Sequence, residues 1–328
     1  MQLETYGYLK EWEQVMLSKA LAQKTIKNYL SWGSRMAAKW PVLDPETFPE
    51  CVQIASASLR RQAYSATTIH NYQCAMAHLA ASIWQWDPKQ RKALITARPV
   101  KTSHNVPSTT EIATFVHTLH NPHRLVALLC YCCGLRISEA VTLTLGDCNL
   151  RSLSLSVRLT KCSKGRLIPI PPELVSELRK HYADALAICE QDLNTGGIVA
   201  PLAGYEWHRK PSSAVEPGQW PLFPQKTLIY DHRIKRQVRV ALHTDRIEKA
   251  FKVARTESRV VTRITPHRLR DAFAVHSLIA GVPVNVVQKH LGHSSLETTA
   301  KYLSFLLSDE GAKLFPGINL MKKLNKSA

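Results

Sequence analysis

The chain has 328 residues, 45% of them hydrophobic, and carries 43 Lys and Arg against 25 Asp and Glu, a formal net charge of +18. That length holds two ordinary domains, and that hydrophobic fraction suffices for a core in each. A basic excess of this size points to a polyanionic partner, nucleic acid before an anionic membrane surface, and residues 1–104 (+6) and the remainder (+12) share it. No run of 18 apolar residues is present, so no membrane span is expected. The start, Met1-Gln2-Leu3-Glu4, does not read as a signal peptide. The expected location is the cytoplasm, associated with the nucleoid of a bacterium or encoded by a mobile element.

The first hundred residues read as helical. Leu21, Ile26, Tyr29, Leu30 and Trp32 recur near helical spacing, with Lys24, Lys27 and Arg35 on the polar side. A second helix is expected from a Ser65 cap to Trp86, with Thr67, Thr68 and Asn71 on its polar face. Such basic and polar faces suit contacts with phosphates, although taken alone they are more often plain solvated surface. Residues Arg98 to Pro107 are polar, basic and bounded by prolines, and read as a linker. Ser108-Thr109-Thr110-Glu111 has the form of a capping box and opens the next helix. The domain boundary is therefore expected near residue 105, giving domains 1–104 and 105–328.

In the second half, Arg124–Cys133 reads as a buried helix stopped by Gly134, and Ile137–Leu145 as the next. Leu153, Leu155, Val157 and Leu159 alternate with polar residues, the period of a half-buried strand. Lys164-Gly165 supplies a turn and Leu167–Ile170 a return strand, so Lys161 sits near the bend. Residues 194–226, rich in Gly, Pro and Trp, read as a long insertion or irregular loop. Helical patterning resumes at Thr244 and again after Pro266. The fold class expected is mainly α with a small antiparallel hairpin or sheet.

The eight cysteines form no disulfide framework. Cys130 and Cys133 make a formal C-x-x-C inside an apolar run and read as reduced core residues. His117, His120 and His123 share a spacing of three, but Asn121-Pro122 ends any helix between them. No metal site is expected.

Four short segments carry chemistry: Gly134-Leu135-Arg136-Ile137-Ser138-Glu139, Lys161, His267-Arg268-Leu269-Arg270, and Leu291-Gly292-His293 followed nine residues after His293 by Tyr302. Each alone is weak. In this order, with Thr298 and Thr299 ahead of Tyr302, they resemble the tyrosine recombinase or phage integrase family, including its Xer-like and integron-integrase members. The resemblance spans residues 108 to 305 by motif, and residues 20–90 are similar to the family's helical core-binding domain. Trp220-Pro221-Leu222-Phe223-Pro224-Gln225 is similar to the same region of integron integrases.

This resemblance implies a two-domain, C-shaped DNA clamp that cuts and rejoins DNA through a 3′-phosphotyrosyl link and a Holliday junction. The partners implied are double-stranded DNA recombination sites and further copies of the chain, a dimer per site and a homo-tetramer on two duplexes. Neither metal nor ATP is called for. Guanidinium groups suit a phosphodiester, being always charged and able to donate paired hydrogen bonds, so Arg136 and Arg270 are expected to clamp it. Tyr302 is the expected nucleophile. A phenol of ordinary pKa about 10 needs a base or a positive field to attack. His267 is expected to move protons, His293 to bond a phosphate oxygen, Lys161 to protonate the leaving 5′ oxygen, and Glu139 to orient the set. Ser294 to Glu297 has the form of a second capping box beside His293. Three other readings compete: a type IB topoisomerase, a catalytically silent DNA-binding protein, and a basic membrane-surface protein.

Overall fold

The structure is a computed structural model that describes residues 3–4, 7–98, 106–158, 165–196, 198–199, 217–232, 235–293, 295–300 and 302–303. The chain divides into two compact units, Met1–His104 and Asn105–Ala328.

The first unit is a helical bundle of α1 (Gly7–Ser18), α2 (Gln23–Lys39), α3 (Phe48–Arg61), α4 (Ala66–Ile83) and the short α5 (Pro88–Ala93). Strands β1 (Leu3–Glu4) and β2 (Val42–Leu43) form a two-stranded antiparallel ribbon. Local chemistry sets the helix starts. The Ser65 hydroxyl accepts the Thr68 N–H at the head of α4, and Asp87 with Gln90 closes a capping box before Pro88. Trp12, Met16, Phe48, Met76 and Leu79 are fully buried. Among the polar side chains buried with them is Gln73. It donates to Ser56 and Thr96 and accepts from the backbone N–H of Thr96 and Ala97. Its amide is thereby satisfied, as burial requires, and it pins the segment after α5 to α4.

The second unit opens at the expected capping box, where Ser108 and Glu111 bond reciprocally before α6 (Thr109–His117). Next comes α7 (His123–Cys132), stopped at Gly134, whose φ is +61°. The next helix, α8, spans only Ile137–Val141 rather than running to Leu145. The reason is tertiary: the Leu143 carbonyl accepts from Leu222, and the Leu145 N–H donates to Trp220. That pairing also corrects the reading of 194–226 as an irregular insertion. Trp220, Leu222 and Phe223 are core residues, while 200–216 lie outside the described residues.

Strands β3 (Cys148–Asn149), β4 (Ser154–Val157) and β5 (Arg166–Pro169) form an antiparallel sheet in sequence order. β4 and β5 are the expected hairpin, in which Leu155 pairs with Ile168. β3 adds an edge that two residues are too few to announce by period. The 23-residue α9 (Pro172–Asn194) is an addition to the expected elements. So is a second sheet, in which β8 (Arg236–Arg239) lies between β7 (Ile229–Asp231), antiparallel, and β6 (Ile198–Val199), parallel. A buried ion pair from Arg239 to Asp192 ties this sheet to α9. The remaining helices are α10 (Thr244–Ser258), α11 (Pro266–Ile279), α12 (Val284–Leu291) and α13 (Leu296–Ala300). α11 lies along α7 within the core. Among the described residues, no helix is long and apolar enough to cross a membrane.

Candidate active site

Glu139 is the hub of the site. It sits at the third position of α8, and its carboxylate reaches back to the Arg136 backbone N–H at 2.8 Å. Three guanidinium groups meet the same carboxylate: Arg136 at 2.8 Å, Arg166 through two bonds at 3.1 and 2.8 Å, and Arg270 at 3.4 Å. Burial alone pushes this carboxyl up. The Arg166 and backbone hydrogen bonds, with the charges of Arg166 and Arg270, hold it below the ordinary carboxylate range instead.

Arg270 lies in the first turns of α11, whose Thr265 cap and Pro266 fix the helix start. Its side chain is buried. One terminal nitrogen donates to the Gly134 carbonyl at 2.5 Å, and the other to the Leu291 carbonyl at 2.6 Å. The second nitrogen also lies 3.3 Å from His293 Nε2. Burial, then the neighbouring charge of Arg136, lowers its pKa to about 10 against the pull of Glu139, so it stays charged at neutral pH.

His293 follows the αL residue Gly292 that ends α12. A guanidinium can only donate, so His293 Nε2 accepts from Arg270. Its Nδ1–H then donates to the Thr299 hydroxyl at 2.8 Å. The Tyr302 ring lies stacked beside the His293 imidazole, with centroids 6.5 Å apart. The Ser294 cap expected there is outside the described residues, and Ser295 Oγ accepts the Glu297 N–H at the head of α13.

Tyr302 is buried, and its hydroxyl donates to Asp271 Oδ1 at 2.5 Å. Burial first, then this carboxylate, pushes the phenol well above its ordinary value. His267 occupies an exposed position one turn before Asp271, with Nε2 3.7 Å from the other carboxylate oxygen. Arg136, Arg270, His293 and Tyr302 are thus gathered at one place, and His267 joins them through Asp271. Lys161, and its neighbour Lys164, lie outside the described residues.

Two residues of the site are absent from the sequence expectation. Asp271 had a signal, since it stands four residues after His267 on the same helix face. Arg166 shares a strand face with the buried Ile168, where a charged residue calls for a partner. The residues expected to touch DNA lie in the first unit, on two helices. Lys24, Lys27 and Arg35 are exposed on α2, with the Arg35 guanidinium 4.9 Å from the Trp32 ring centroid. Thr67 and Asn71 are exposed on α4, while Thr68 is half-buried and shares its hydroxyl with Ser65.

Residues 106–306 match the model of the phage integrase family. An integrase/recombinase of Escherichia coli is 32% identical over 206 residues, 60% of this chain and 58% of that protein. The tyrosine recombinase XerD of Pseudomonas putida is 36% identical over 172 residues, 52% of this chain and 46% of that protein. The chain thus spans about half the length of the curated relatives it matches. Among solved structures, the Tn1549 transposon integrase in complex with circular intermediate DNA superposes with a TM-score of 0.62 at 14% identity, covering 90% of this chain and 94% of that one. A lambda integrase dimer bound to a COC′ core site gives 0.59 at 17% identity, covering 92% and 95%. These two likenesses are of fold. With the family model covering more than half of its length, the chain belongs to the phage integrase family.

Proposed function

We propose that the chain is a site-specific DNA recombinase, in which Tyr302 attacks a DNA phosphodiester and a strand from a partner duplex later displaces it. The observation that carries this reading is the convergence of Arg136, Arg270 and His293 beside the Tyr302 phenol, with both arginines braced by one buried carboxylate, Glu139, and His293 held by Arg270. Two guanidinium groups offer donors for the non-bridging oxygens, where charge gathers in a pentacoordinate transition state, and the His293 imidazole offers a third when its Nε2, freed from Arg270, carries a proton. A preorganised donor of this kind contributes roughly 100- to 1,000-fold in rate. Arg136 is the more exposed guanidinium and meets the phosphate first. Arg270 already bonds two backbone carbonyls, so the phosphate replaces its longest neutral contact, that to His293 Nε2. Lys161 is assigned to protonating the leaving 5′ oxygen.

In the same reading residues 105–328 form the catalytic domain, and residues 1–104 bind DNA through Lys24, Lys27, Arg35, Thr67, Thr68 and Asn71. A lambda integrase tetramer has been solved bound to a Holliday junction. We assign this chain the same assembly, with a dimer on each double-stranded recombination site.

The test is covalent capture. Nicked duplexes tiled across the DNA flanking the chain's own gene are incubated with the full chain and resolved under denaturing conditions. Wild type is expected to form a covalent adduct, and Tyr302→Phe none. An adduct that survives in Tyr302→Phe removes Tyr302 as nucleophile. Turnover of supercoiled plasmids lacking those flanks, without rejoining to a partner strand, makes the chain a topoisomerase instead.

A further inference from the structure

We propose that Asp271 is the group that takes the phenolic proton of Tyr302 as the tyrosine attacks, with His267 as its outlet to solvent. This rests on the recombinase reading above and adds to it the proton's path. The hydroxyl that must lose a proton donates directly to Asp271 Oδ1, and Asp271 Oδ2 faces the exposed His267 imidazole. The carboxylate is therefore a bridge with one oxygen on the nucleophile and the other toward the surface.

The chemistry balances. The Tyr302 oxygen forms a bond to phosphorus while the bond from phosphorus to the 5′ oxygen breaks. The phenolic proton moves to Asp271, and the 5′ oxygen takes a proton from the general acid. On resealing, a 5′-hydroxyl attacks and gives its proton to the deprotonated general acid, the bond from phosphorus to the tyrosine oxygen breaks, and Asp271 returns its proton to that oxygen. The transfer also removes a charge conflict. An ionised Asp271 repels a phosphate arriving at Tyr302, whereas the protonated acid formed in the step is neutral.

Among the described residues, the charged and titratable groups facing this pair are His267 and Arg270 on α11, Arg136 ahead of α8, and His293 ahead of α13. The two arginines favour a phenolate, and Asp271 opposes one. A phenol held neutral by a carboxylate is poised for concerted loss of its proton during attack. It is not poised for prior ionisation.

The experiment compares wild type, Asp271→Asn and Tyr302→Phe for single-turnover adduct formation on the same tiled nicked duplexes, across pH. Asparagine keeps the acceptor oxygen and the shape but cannot take a proton. General-base catalysis contributes typically about 100- to 10,000-fold, so Asp271→Asn is expected to slow the adduct by that range while DNA retention in a gel is not weakened. Its rate is expected to rise roughly tenfold per pH unit as hydroxide replaces the missing base, narrowing the deficit. A merely structural loss lowers the rate equally at every pH, and that result overturns the proposal.

An Asp271→Asn chain that forms adduct as fast as wild type, or faster, also overturns it while leaving the recombinase reading intact. A wild type that forms no adduct on any duplex ends the recombinase reading and the proposal with it. A readout without DNA checks the pair itself. Phenolate absorbance, differenced against Tyr302→Phe, is expected at lower pH in Asp271→Asn than in wild type, and an unmoved titration removes the contact on which the proposal stands.

Discussion

Arg166 and Glu139, 27 residues apart, are joined by two parallel hydrogen bonds at 3.1 and 2.8 Å, and the same guanidinium donates to the His290 carbonyl at 2.8 Å. One side chain thus links β5 to α8, which carries Glu139 and is capped by Arg136, and to the end of α12, which His293 follows.

Arg166→Ala is expected to lower stability by about 1–3 kcal/mol, the cost of hydrogen bonds lost from a buried charged group. Glu139 keeps Arg136 and Arg270, so the variant is expected to fold. Arg166→Lys is expected to recover little, because an ammonium cannot form the paired bonds. Urea unfolding of the three chains checks this, and a lysine variant equal to wild type contradicts the bidentate role.

Acid reaches this network through Glu139. Its folded pKa lies below the ordinary value of 4.5. The stability it contributes is therefore fully present above that value and is lost as pH falls through the folded pKa. Glu139→Gln is expected to be less stable than wild type at neutral pH, with the gap closing as the solution is acidified below the ordinary carboxylate range. Thermal unfolding against pH measures it, and a gap that widens in acid reverses the sign and the assignment.

Much of this site was legible because its residues fall at chain punctuation. Arg136 is a helix cap, His267 and Arg270 lie in the first turns after Thr265-Pro266, and His293 follows Gly292. Local rules reach those positions. They do not reach the Asp271–Tyr302 contact, which spans 31 residues, or the end of α8. There a helical period running to Leu145 yields to backbone pairing with Trp220 and Leu222. α9 is a different case: Leu174, Leu178, Ala185 and Cys189 are buried at helical intervals, so its signal is in the chain. Its neighbouring sheet is not, because two- to four-residue strands carry too little period to declare themselves.

Gly292 ends α12 at φ +66°, and a Cβ there comes within 3.0 Å of the Arg166 guanidinium. Gly281 has φ +88° with nothing within 4 Å. Each alanine substitution pays for a left-handed residue, about 1–2 kcal/mol, but only Gly292→Ala also displaces Arg166. A lower melting temperature for Gly292→Ala than for Gly281→Ala is expected, and equal values mean that the Arg166 contact relaxes without cost.

Within the first unit, Gln73→Leu leaves the Thr96 and Ala97 N–H groups without their acceptor. A buried unsatisfied polar group costs about 1–3 kcal/mol, so local opening of residues 94–97 is expected before global unfolding. Hydrogen exchange reads it directly. Faster exchange is expected at Thr96 and Ala97, with little change in the α1 amides near Trp12.

The exposed cations of α2 make a prediction about salt. Lys24 and Lys27 are one turn apart on its solvent face, and Arg35 continues that face over the Trp32 ring. If α2 lies against a DNA backbone, each lysine that neutralises a phosphate releases condensed counterions. The logarithm of affinity then falls linearly with the logarithm of salt, with a slope of about −0.9 per contact. Lys24→Ala and Lys27→Ala are each expected to weaken binding to all sequences alike and to flatten that slope by roughly one. Gel retention on the flanking duplexes, between about 50 and 200 mM salt, gives the slopes. Two variants with the wild-type slope place the DNA elsewhere on the unit, and a loss confined to one sequence makes these lysines base readers.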